Sequence, residues 1–372
     1  MKAFFLNRTV QLVALAATML VLVALGHHDA ALTMGILGPV VGANDLSLLD
    51  VAKRLDPNGD TADVAEMLSQ TNEIIQDIPW VEGNLPTGNR TTIRTGLPTP
   101  VWRKLYGGVP ASKSQTAQVD DTCGMLEARS EPDVDVVRMA NDPGRFRLDE
   151  AASFVEAMGQ TFASTLIYED TSLHPERFYG LAPRYSKISG SPSAQNVIDA
   201  GGTGSDNTSI WLIGWSRRTV FGMYPKNSKA GLSHRDLGEG DAFDDAGNRY
   251  RAYMDLFKWD CGLVVKDWRY AVRIANVDIS DLEGQTGTQA ASATTAIINL
   301  LIKAKHLLPT LSGVQPRVYA NRTIRQMLDI AALNKSNNAL AIREAAGQFQ
   351  TDFLGIPIRT VDQILNTEAQ VV

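Results

Sequence analysis

Four carboxylates in the run GEGDAFDDAGNRY are the residues best spaced for chemistry. Side chains this close together can hold a cation or share a proton. The pair Gly247-Asn248 between strand-like flanks is instead typical of a hairpin turn, and no histidine, lysine or glycine-rich element nearby completes a site. We therefore favour a solvated hairpin loop over a metal or acid–base site. The four residues are Glu239, Asp241, Asp244 and Asp245.

Other motifs lack the spacing that their chemistry needs. The run DPNGDTADVAEM at 56–67 begins like a calcium loop, but Thr61 stands where that loop needs glycine and Met67 where it needs glutamate. The run GGTGSDN at 201–207 lacks the spacing of a phosphate-binding loop, and Ser216 lacks the second glycine of a nucleophile elbow. None of the five histidines lies in a zinc-binding pattern. The sequence therefore predicts no enzyme activity, no cofactor and no metal site.

The composition disfavours a nucleic-acid-binding protein and leaves open whether the two cysteines form a disulfide bond. Hydrophobic residues make up 44% and charged residues 20% of the chain, as in an ordinary globular protein. The formal net charge of −6 disfavours a dedicated nucleic-acid-binding protein, because phosphate backbones are bound by a basic excess. Cys123 and Cys261 are either two buried free thiols, which we favour, or one bridge in an exported protein.

An apolar run at 10–25 raises the question of export. A helix of about 16 residues is too short for a hydrocarbon core of about 30 Å, so the run predicts no membrane span. Lys2 and Arg8 before it and the triplet Ala24-Leu25-Gly26 after it follow the order of a secretory signal. Taken alone, this pattern favours an exported protein.

The next segment has one apolar face. From Val64 to Ile78, apolar residues that include Ile74 recur at helical spacing, with Asp60 or Thr61 as a cap. The spacing predicts an N-terminal arm that needs a surface to lie on.

A projecting two-stranded loop is predicted after the arm. Extended stretches near 89–106 and 112–123 flank the turn GGVPASK. An isolated hairpin is marginal in water, so one that carries Trp102 and Tyr106 predicts a partner that covers it, such as another copy of the chain. Its cations are either solvated or ion-pair donors to a neighbouring subunit, and their place on the loop favours the second role. They are Arg90, Arg94, Arg103 and Lys104.

The rest of the chain mixes helices and strands without regular alternation. Apolar residues from Leu148 to Leu166 form one stripe and predict a long helix. Aromatic and β-branched runs then predict an antiparallel sheet, with strands at 209–215, 219–224, 249–259 and 262–278. The last third reads as helix, strand, helix capped by Asn321, and a final extended segment. The class is therefore α+β.

Four contiguous stretches resemble the major capsid proteins of short-tailed double-stranded DNA bacteriophages. The resemblance covers about 44–369 and implies a Hong Kong 97-like capsid fold, in which an N-terminal arm and an extended loop embrace neighbouring subunits. The stretches are NDLSLLDVAKRLDPNGD, MLSQTNEIIQDIPWVEGNLPTGNRTTIRTGLPTPVWRKLYGGVPASKSQTAQVDDTCGMLEARS, AGGTGSDNTSIWLIGW and GIPIRTVDQILNTEA.

Carried over to this chain, the resemblance implies six segments. They are an apolar leader outside the fold at 1–43, an N-terminal arm at 44–80, an extended loop at 81–130, a peripheral domain at 131–284 with a spine helix at about 147–168 and long strands, an axial domain at 285–350, and a C-terminal strand that returns to the body at 351–372. The strand-rich block at 206–278 precedes the helix-strand-helix block, which allows a rearranged order of elements. We attribute the leader to an upstream start chosen in translating the gene.

The function that the resemblance implies is mechanical. Copies of the chain would self-assemble, as hexamers and pentamers, into an icosahedral shell that encloses the DNA without sequence-specific binding. We expect scaffolding, portal and decoration proteins as partners, no membrane, assembly in the host cytoplasm and a final location in the virion. The residues expected at subunit interfaces are Ile74, Trp80, Arg90, Arg94, Trp102, Arg103, Lys104 and Tyr106.

Two other classes remain open as alternatives. An exported soluble binding protein would use the leader as a cleaved signal peptide, with a bridge between the two cysteines. A hydrolase would use the acidic loop near Asp244. Neither alternative explains the arm and the projecting loop.

Overall fold

The computed structural model describes residues 70–280, 288–333, 339–345 and 348–372. The expected leader at 1–43 and the arm residues 44–69 lie outside the described residues, so both stay predictions. None of the described helices is both long and apolar enough to cross a membrane.

Thirteen β-strands in the described chain join into one mixed sheet. Hydrogen bonds connect β11, β12, β13, β10, β5, β6, β8, β3 and β2 in that order, and β1, β4, β7 and β9 are attached to this path. In chain order the strands are β1 (Trp80–Glu82), β2 (Gly88–Gly96), β3 (Gln115–Ser130), β4 (Val197–Asp199), β5 (Asn207–Trp215), β6 (Val220–Tyr224), β7 (Ser233–Phe243), β8 (Arg249–Val265), β9 (Ala271–Asp278), β10 (Gln315–Ala320), β11 (Leu340–Ala345), β12 (Gln348–Phe353) and β13 (Ile356–Thr360).

The sheet is less uniform than the sequence predicts. Most neighbours are antiparallel, but β1–β6, β4–β9, β5–β6 and β10–β13 are parallel. Strand β8 also runs unbroken through 260–261, where the sequence prediction separates two strands. The reason is an alternation of buried positions at Phe257, Trp259 and Cys261 that continues across the predicted break.

Six α-helices accompany the sheet in the described part of the chain, which confirms the predicted α+β class. Asn321 caps the last of them as predicted, because its Oδ1 accepts a hydrogen bond from the backbone N of Ile324 at 2.9 Å. The helices are α1 (Ile74–Asp77), α2 (Val134–Met139), α3 (Pro143–Tyr168), α4 (Leu181–Arg184), α5 (Thr288–Leu307) and α6 (Arg322–Ala332).

The long helix α3 begins four residues before the predicted start at 147. Asp142 caps it, since its Oδ1 accepts hydrogen bonds from the backbone N of Gly144 and Arg145, and Pro143 fits the first turn. The helix has 26 residues, which corresponds to a length of about 39 Å. The apolar stripe from Leu148 to Leu166 predicted the body of the helix. The capping residue Asp142 lies before that stripe, so the stripe alone did not reveal the true start.

Aromatic rings join α3 to the sheet. The ring centroids of Phe162 on α3 and Trp259 on β8 are 4.5 Å apart and stacked, and Trp80 on β1 lies 5.8 Å from each. Burial of such large rings is the main favourable contribution to a core. This cluster fixes the helix across the strands that carry the projecting hairpin.

A buried ion pair fastens the C-terminal segment to β9. Arg273 Nη2 lies 2.8 Å from Glu368 Oε2, and the two side chains are 6% and 5% exposed. The hydroxyls of Ser209 and Tyr168 donate to the two oxygens of Glu368, each at 2.5 Å. Every strong acceptor of the carboxylate therefore has a donor, as burial of a charge requires.

Two buried tyrosines and one partly buried tyrosine predict a loss of stability at alkaline pH. Burial raises the pKa of each above its ordinary value near 10. Below about pH 10 both states keep these protons; above it the unfolded chain loses them while the folded chain retains them, so the free energy of unfolding falls by about 1.4 kcal/mol per pH unit for each tyrosine. The hydroxyls of Tyr168, Tyr185 and Tyr319 donate to Glu368 Oε1, the Trp268 carbonyl and Asp77 Oδ2.

Urea unfolding between pH 8 and 11, followed together with tyrosinate absorbance, measures this effect. We expect the midpoint to fall above pH 10 and these tyrosines to ionise only as the chain unfolds. Tyrosinate formation by all nine tyrosines in the folded protein would contradict the expectation.

Candidate functional site

The predicted hairpin forms, because β2 and β3 pair antiparallel, but its strands differ from the predicted ones: β2 ends at Gly96 and not near 106, and β3 continues to Ser130. Arg90 donates from Nε and Nη2 to the two carboxylate oxygens of Asp120 on the opposite strand, at 2.7 Å each. These hydrogen bonds lower the pKa of Asp120 and raise that of Arg90. The pair is exposed, so its main effect is to fix the register of the hairpin. Arg90, expected at a subunit interface, is therefore engaged within its own hairpin.

The end of the hairpin is an exposed apolar surface. We call residues 97–114, between β2 and β3, the loop tip. Its largest side chains stand wholly in water: the exposed fraction is 100% for Trp102, 93% for Leu105 and 104% for Tyr106. Contiguous apolar surface of this kind marks an interaction site in a protein that is otherwise well packed.

A tight turn presents the rings and cations of the loop tip. The backbone N of Gly107 donates to the Lys104 carbonyl at 3.0 Å, and Tyr106 has a φ of 62°, in the left-handed region that favours glycine. Arg103 Nε donates to the Gly107 carbonyl at 3.1 Å. With Lys113, the tip carries three cations and no carboxylate, a formal charge of +3.

Of two other expected interface residues, Ile74 lies inside its own subunit and Trp80 is half-buried there. Ile74 on α1 is 1% exposed and belongs to the main core, and Trp80 packs against Phe162 and Trp259. This is a correction: the helical spacing showed that a face is apolar but not that its own sheet covers it. Arg94 on β2 is exposed and keeps its place as a candidate contact.

Sequence reasoning missed a concave acidic surface. We call it the acidic groove: it encloses about 580 Å³ between the end of β3, the first half of α3 and the end of the β7–β8 hairpin. Its residues are far apart in sequence, so no local pattern reveals it. Carboxylates and aromatic rings dominate its lining, namely Glu131, Asp133, Glu150, Asp245, Phe154 and Phe243.

The acidic run at 239–245 lies in a hairpin, as predicted, but Glu239 and Asp241 are on strand β7, and only Asp244 and Asp245 lie in the turn before β8. Asp244 Oδ1 accepts from the backbone N of Asn248 at 2.7 Å and of Ala246 at 3.0 Å, and the hydrogen bonds from Asn248 lower the pKa of Asp244. Asp241 pairs with Arg251 at 3.1 Å. Over the described ranges, no three histidine, cysteine or acidic side chains converge on a position for a metal ion. Asp244, the residue on which the hydrolase alternative centres, is therefore engaged in shaping the turn.

The two cysteines lie on opposite faces of the sheet. Cys123 is paired with Gly262, and Cys261 with Gly124, so the cysteines occupy successive positions of one ladder. Successive positions point to opposite faces, and Cβ atoms on opposite faces cannot approach to disulfide distance. Both thiols are free, as favoured from the sequence, and the bridge of the exported-protein alternative is excluded.

We expect both thiols to be inert in the folded protein. Burial raises the pKa of Cys123 to about 12 and raises that of Cys261 as well. At pH 8 only about one Cys123 thiol in 10⁴ is ionised, and the thiolate is the reactive form. Iodoacetamide at pH 8 should therefore leave the folded chain unmodified and alkylate both cysteines in guanidinium chloride. Alkylation of either at the rate of a free thiol in the folded chain would contradict this.

Known proteins identify the family. The family model described as major capsid protein GP7 matches residues 56–372. A chain from the structure of bacteriophage Epsilon15 is 34% identical, with a TM-score of 0.68, over 90% of this chain and 99% of that chain. No curated protein matches this chain.

Two solved shells are more distant. The encapsulin of the holo-SrpI complex from Synechococcus elongatus PCC 7942 is 14% identical, with a TM-score of 0.41, over 65% of this chain and 99% of its own. The bacteriophage JBD30 capsid is 8% identical, with a TM-score of 0.44, over 81% of this chain and 93% of its own. Neither adds to the assignment.

The match to the family model and the similarity to the Epsilon15 chain confirm the predicted Hong Kong 97-like α+β fold and the predicted function. The protein is structural and non-catalytic, and its place is the capsid of the phage particle. The comparisons give no support to the alternative of an exported protein with a signal peptide. The chain belongs to the GP7 family of major capsid proteins, whose copies assemble into the shell.

Proposed function

We propose that the loop tip makes the principal contact between each subunit and its neighbours in the shell. One observation carries this proposal: Trp102, Leu105 and Tyr106 are fully exposed at the end of a hairpin whose register an ion pair fixes. An isolated subunit gains nothing from holding three large apolar side chains in water. A neighbouring subunit that covers these side chains removes their apolar surface from water, which stabilises the contact.

The residue types of the tip suit this role. Tryptophan, tyrosine and arginine are the side chains that most often dominate interface energies, and the tip has Trp102, Arg103 and Tyr106 in five consecutive positions. In a shell every subunit both offers a tip and receives one. Modest single contacts therefore add up, because a subunit leaves only when all of them break together.

The expected division of the chain becomes part of the proposal. We assign the arm to 44–80, the extended loop to 81–130, the peripheral domain to 131–284, the axial domain to 285–350 and the returning segment to 351–372. Helix α3 on its sheet supports the peripheral assignment. Exposed apolar side chains on or directly after α6 support an axial surface at the centre of hexamers and pentamers, namely Ile330 and Leu333.

Scaffolding, portal and decoration proteins are proposed as further partners. A negative subunit, with a net charge of −6, encloses DNA without binding its phosphates strongly.

Replacement of the loop tip tests the proposal. Residues 98–112 are exchanged for a short glycine–serine turn in the full chain, which leaves Arg90 and Asp120 to hold the hairpin. We expect a folded subunit with an unchanged urea midpoint that forms no shells, as measured by sedimentation and negative-stain electron microscopy. The conditions are those in which the unmodified chain assembles.

A matched control removes two cations from another exposed loop, through Lys226→Ser and Lys229→Ser. This variant should assemble normally. Shells of normal size and yield from the chain without its tip would refute the proposed contact.

A further inference from the structure

Two turns at one end of the sheet lie against each other and are strongly basic. Residues 216–219 connect β5 to β6, and residues 266–270 connect β8 to β9. The backbone N of Lys266 donates to the Thr219 carbonyl at 2.8 Å, and the Thr219 hydroxyl donates to the Gly214 carbonyl at 2.7 Å. We call the two turns together the basic end, because they carry four cations and one carboxylate, a formal charge of +3.

The first turn presents two arginines to solvent. The backbone N of Thr219 donates to the Ser216 carbonyl at 3.0 Å, which closes a tight turn. Arg217 and Arg218 are its two central residues, and both are exposed, while Thr219 behind them is buried. The backbone that carries the two guanidinium groups therefore needs no ordering before a ligand binds.

The second turn adds a cation without adding a free carboxylate. Arg269 donates from Nε and Nη2 to the two oxygens of Asp267, at 2.9 and 2.8 Å, so this carboxylate is neutralised within its own turn. Lys266 is exposed, and within the described ranges neither it nor the two arginines of the first turn have an ion-pair partner. Residues 308–314, which lead into β10 at the same end of the sheet, contain no charged side chain.

The negative net charge of the subunit does not cancel this surface. Strand β8 has 17 residues and spans about 55 Å, and it separates the basic end from the acidic turn that contains Asp244 and Asp245. Exposed charges more than about 8 Å apart are largely screened at physiological ionic strength. A polyanion at the basic end therefore meets a local positive charge, although the chain has a formal net charge of −6.

The side chains of the basic end fit a phosphate backbone better than a protein surface. Each exposed residue of the two turns is a cation, namely Arg217, Arg218, Lys266 and Arg269. A protein contact is usually centred on aromatic or aliphatic side chains, and no apolar residue of these turns is exposed. A DNA duplex presents one phosphate charge per about 1.7 Å of its axis, and arginine binds phosphate through two parallel hydrogen bonds.

We propose that the basic end faces the interior of the shell and contacts phosphate groups of the packaged DNA. This inference is independent of the contact that we propose for the loop tip. Three cations make only a weak contact, which is compatible with a negative subunit, but every copy in the shell offers the same one. The contact reads no sequence, because phosphates are the same at every base pair.

DNA binding by the full chain, below the concentration at which it assembles, is the first test. The test variant carries Arg217→Ser, Arg218→Ser and Lys266→Ser, and the probe is a short fluorescent DNA duplex. We expect the affinity at low salt to fall about tenfold or more. The slope of log affinity against log salt concentration should become shallower by about 2 to 3, because each phosphate contact contributes about 0.9.

A matched control removes three exposed cations elsewhere, through Lys226→Ser, Lys229→Ser and Arg235→Ser. Its net charge equals that of the test variant, and it should keep most of the affinity for DNA. Urea midpoints confirm that both chains fold. A test variant that binds the duplex as tightly as the control does would overturn the inference.

A polyglutamate peptide with the same total charge as the duplex distinguishes DNA from an acidic protein. We expect the unmodified chain to bind this peptide about tenfold more weakly than the duplex, since the peptide lacks the charge density of DNA. Equal affinity for the two probes would assign the basic end to an acidic protein and would also overturn the inference.

Thiol labelling of closed shells tests which way the basic end faces. Ser216→Cys places a thiol in the first turn, and the native thiols, which burial keeps protonated, do not interfere. N-ethylmaleimide, which is small enough to diffuse between subunits, should label Ser216→Cys shells, whereas a maleimide on a large polyethylene glycol should label them only after dissociation. Labelling of closed shells by the large reagent would place the basic end outside. Failure of the small reagent would place it in a subunit contact, and either result contradicts the proposal.

Discussion

Replacement of Glu368 by alanine is expected to lower the free energy of unfolding by about 3–5 kcal/mol, because it leaves the buried guanidinium of Arg273 without its counter-charge. The carboxylate also accepts hydrogen bonds from Ser209 and Tyr168, which would lose their acceptor. Urea unfolding of the unassembled subunit measures the change, and the midpoint should fall accordingly.

Two variants separate this pair from an ordinary surface ion pair. Arg273→Met combined with Glu368→Leu removes both charges and should recover most of the loss, since apolar residues often replace a buried pair at little cost. Asp135→Ala breaks an exposed pair with Arg138, 3.8 Å apart, and should cost about 1 kcal/mol or less. A Glu368→Ala chain as stable as the Asp135→Ala chain would contradict the fastening of the C-terminal segment.

The buried pair of Arg273 and Glu368 also shows which features can be predicted from the sequence and which cannot. The long helix and the projecting hairpin were predictable, because apolar spacing and turn residues are local signals. Arg273 stands in the run AVRIANVD, where a charge among buried strand residues does signal a buried partner. The partner itself lies 95 residues away, and no local pattern identifies it.

Ile74 illustrates a second limit. Its spacing correctly indicated an apolar face, but the same pattern fits a helix that covers its own sheet and one that covers a neighbour. The loop tip was recognisable for the opposite reason: a hairpin has no second layer of its own, so apolar residues at its end predict an external partner. The acidic groove brings together residues 129–133, 150–154 and 243–250, and only the folded chain makes them one surface.

Tyr106→Gly is expected to weaken assembly while leaving the subunit equally or more stable. The backbone at Tyr106 has a φ of 62°, a conformation that costs a side chain roughly 1–2 kcal/mol and costs glycine almost nothing. Relief of that strain offsets the greater freedom of glycine in the unfolded chain. Loss of the exposed ring removes a side chain of the type that contributes about 2 kcal/mol or more at the centre of an interface, which corresponds to about thirtyfold per contact.

We interpret the strained backbone at Tyr106 as maintained because its side chain contacts a neighbouring subunit. The Tyr106→Gly variant tests this interpretation. Tyr106→Asn tolerates the same backbone without the ring, so it should lose assembly to a similar degree. Asn227→Gly, at a φ of 67° in the loop between β6 and β7, changes a comparable backbone away from the tip and should assemble normally. Sedimentation over a range of subunit concentrations gives the assembly threshold, and urea unfolding gives the stability. A Tyr106→Gly chain with an unchanged threshold would mean that the strained ring contacts no neighbour, and the tip contact would then depend on Trp102 and Leu105 alone.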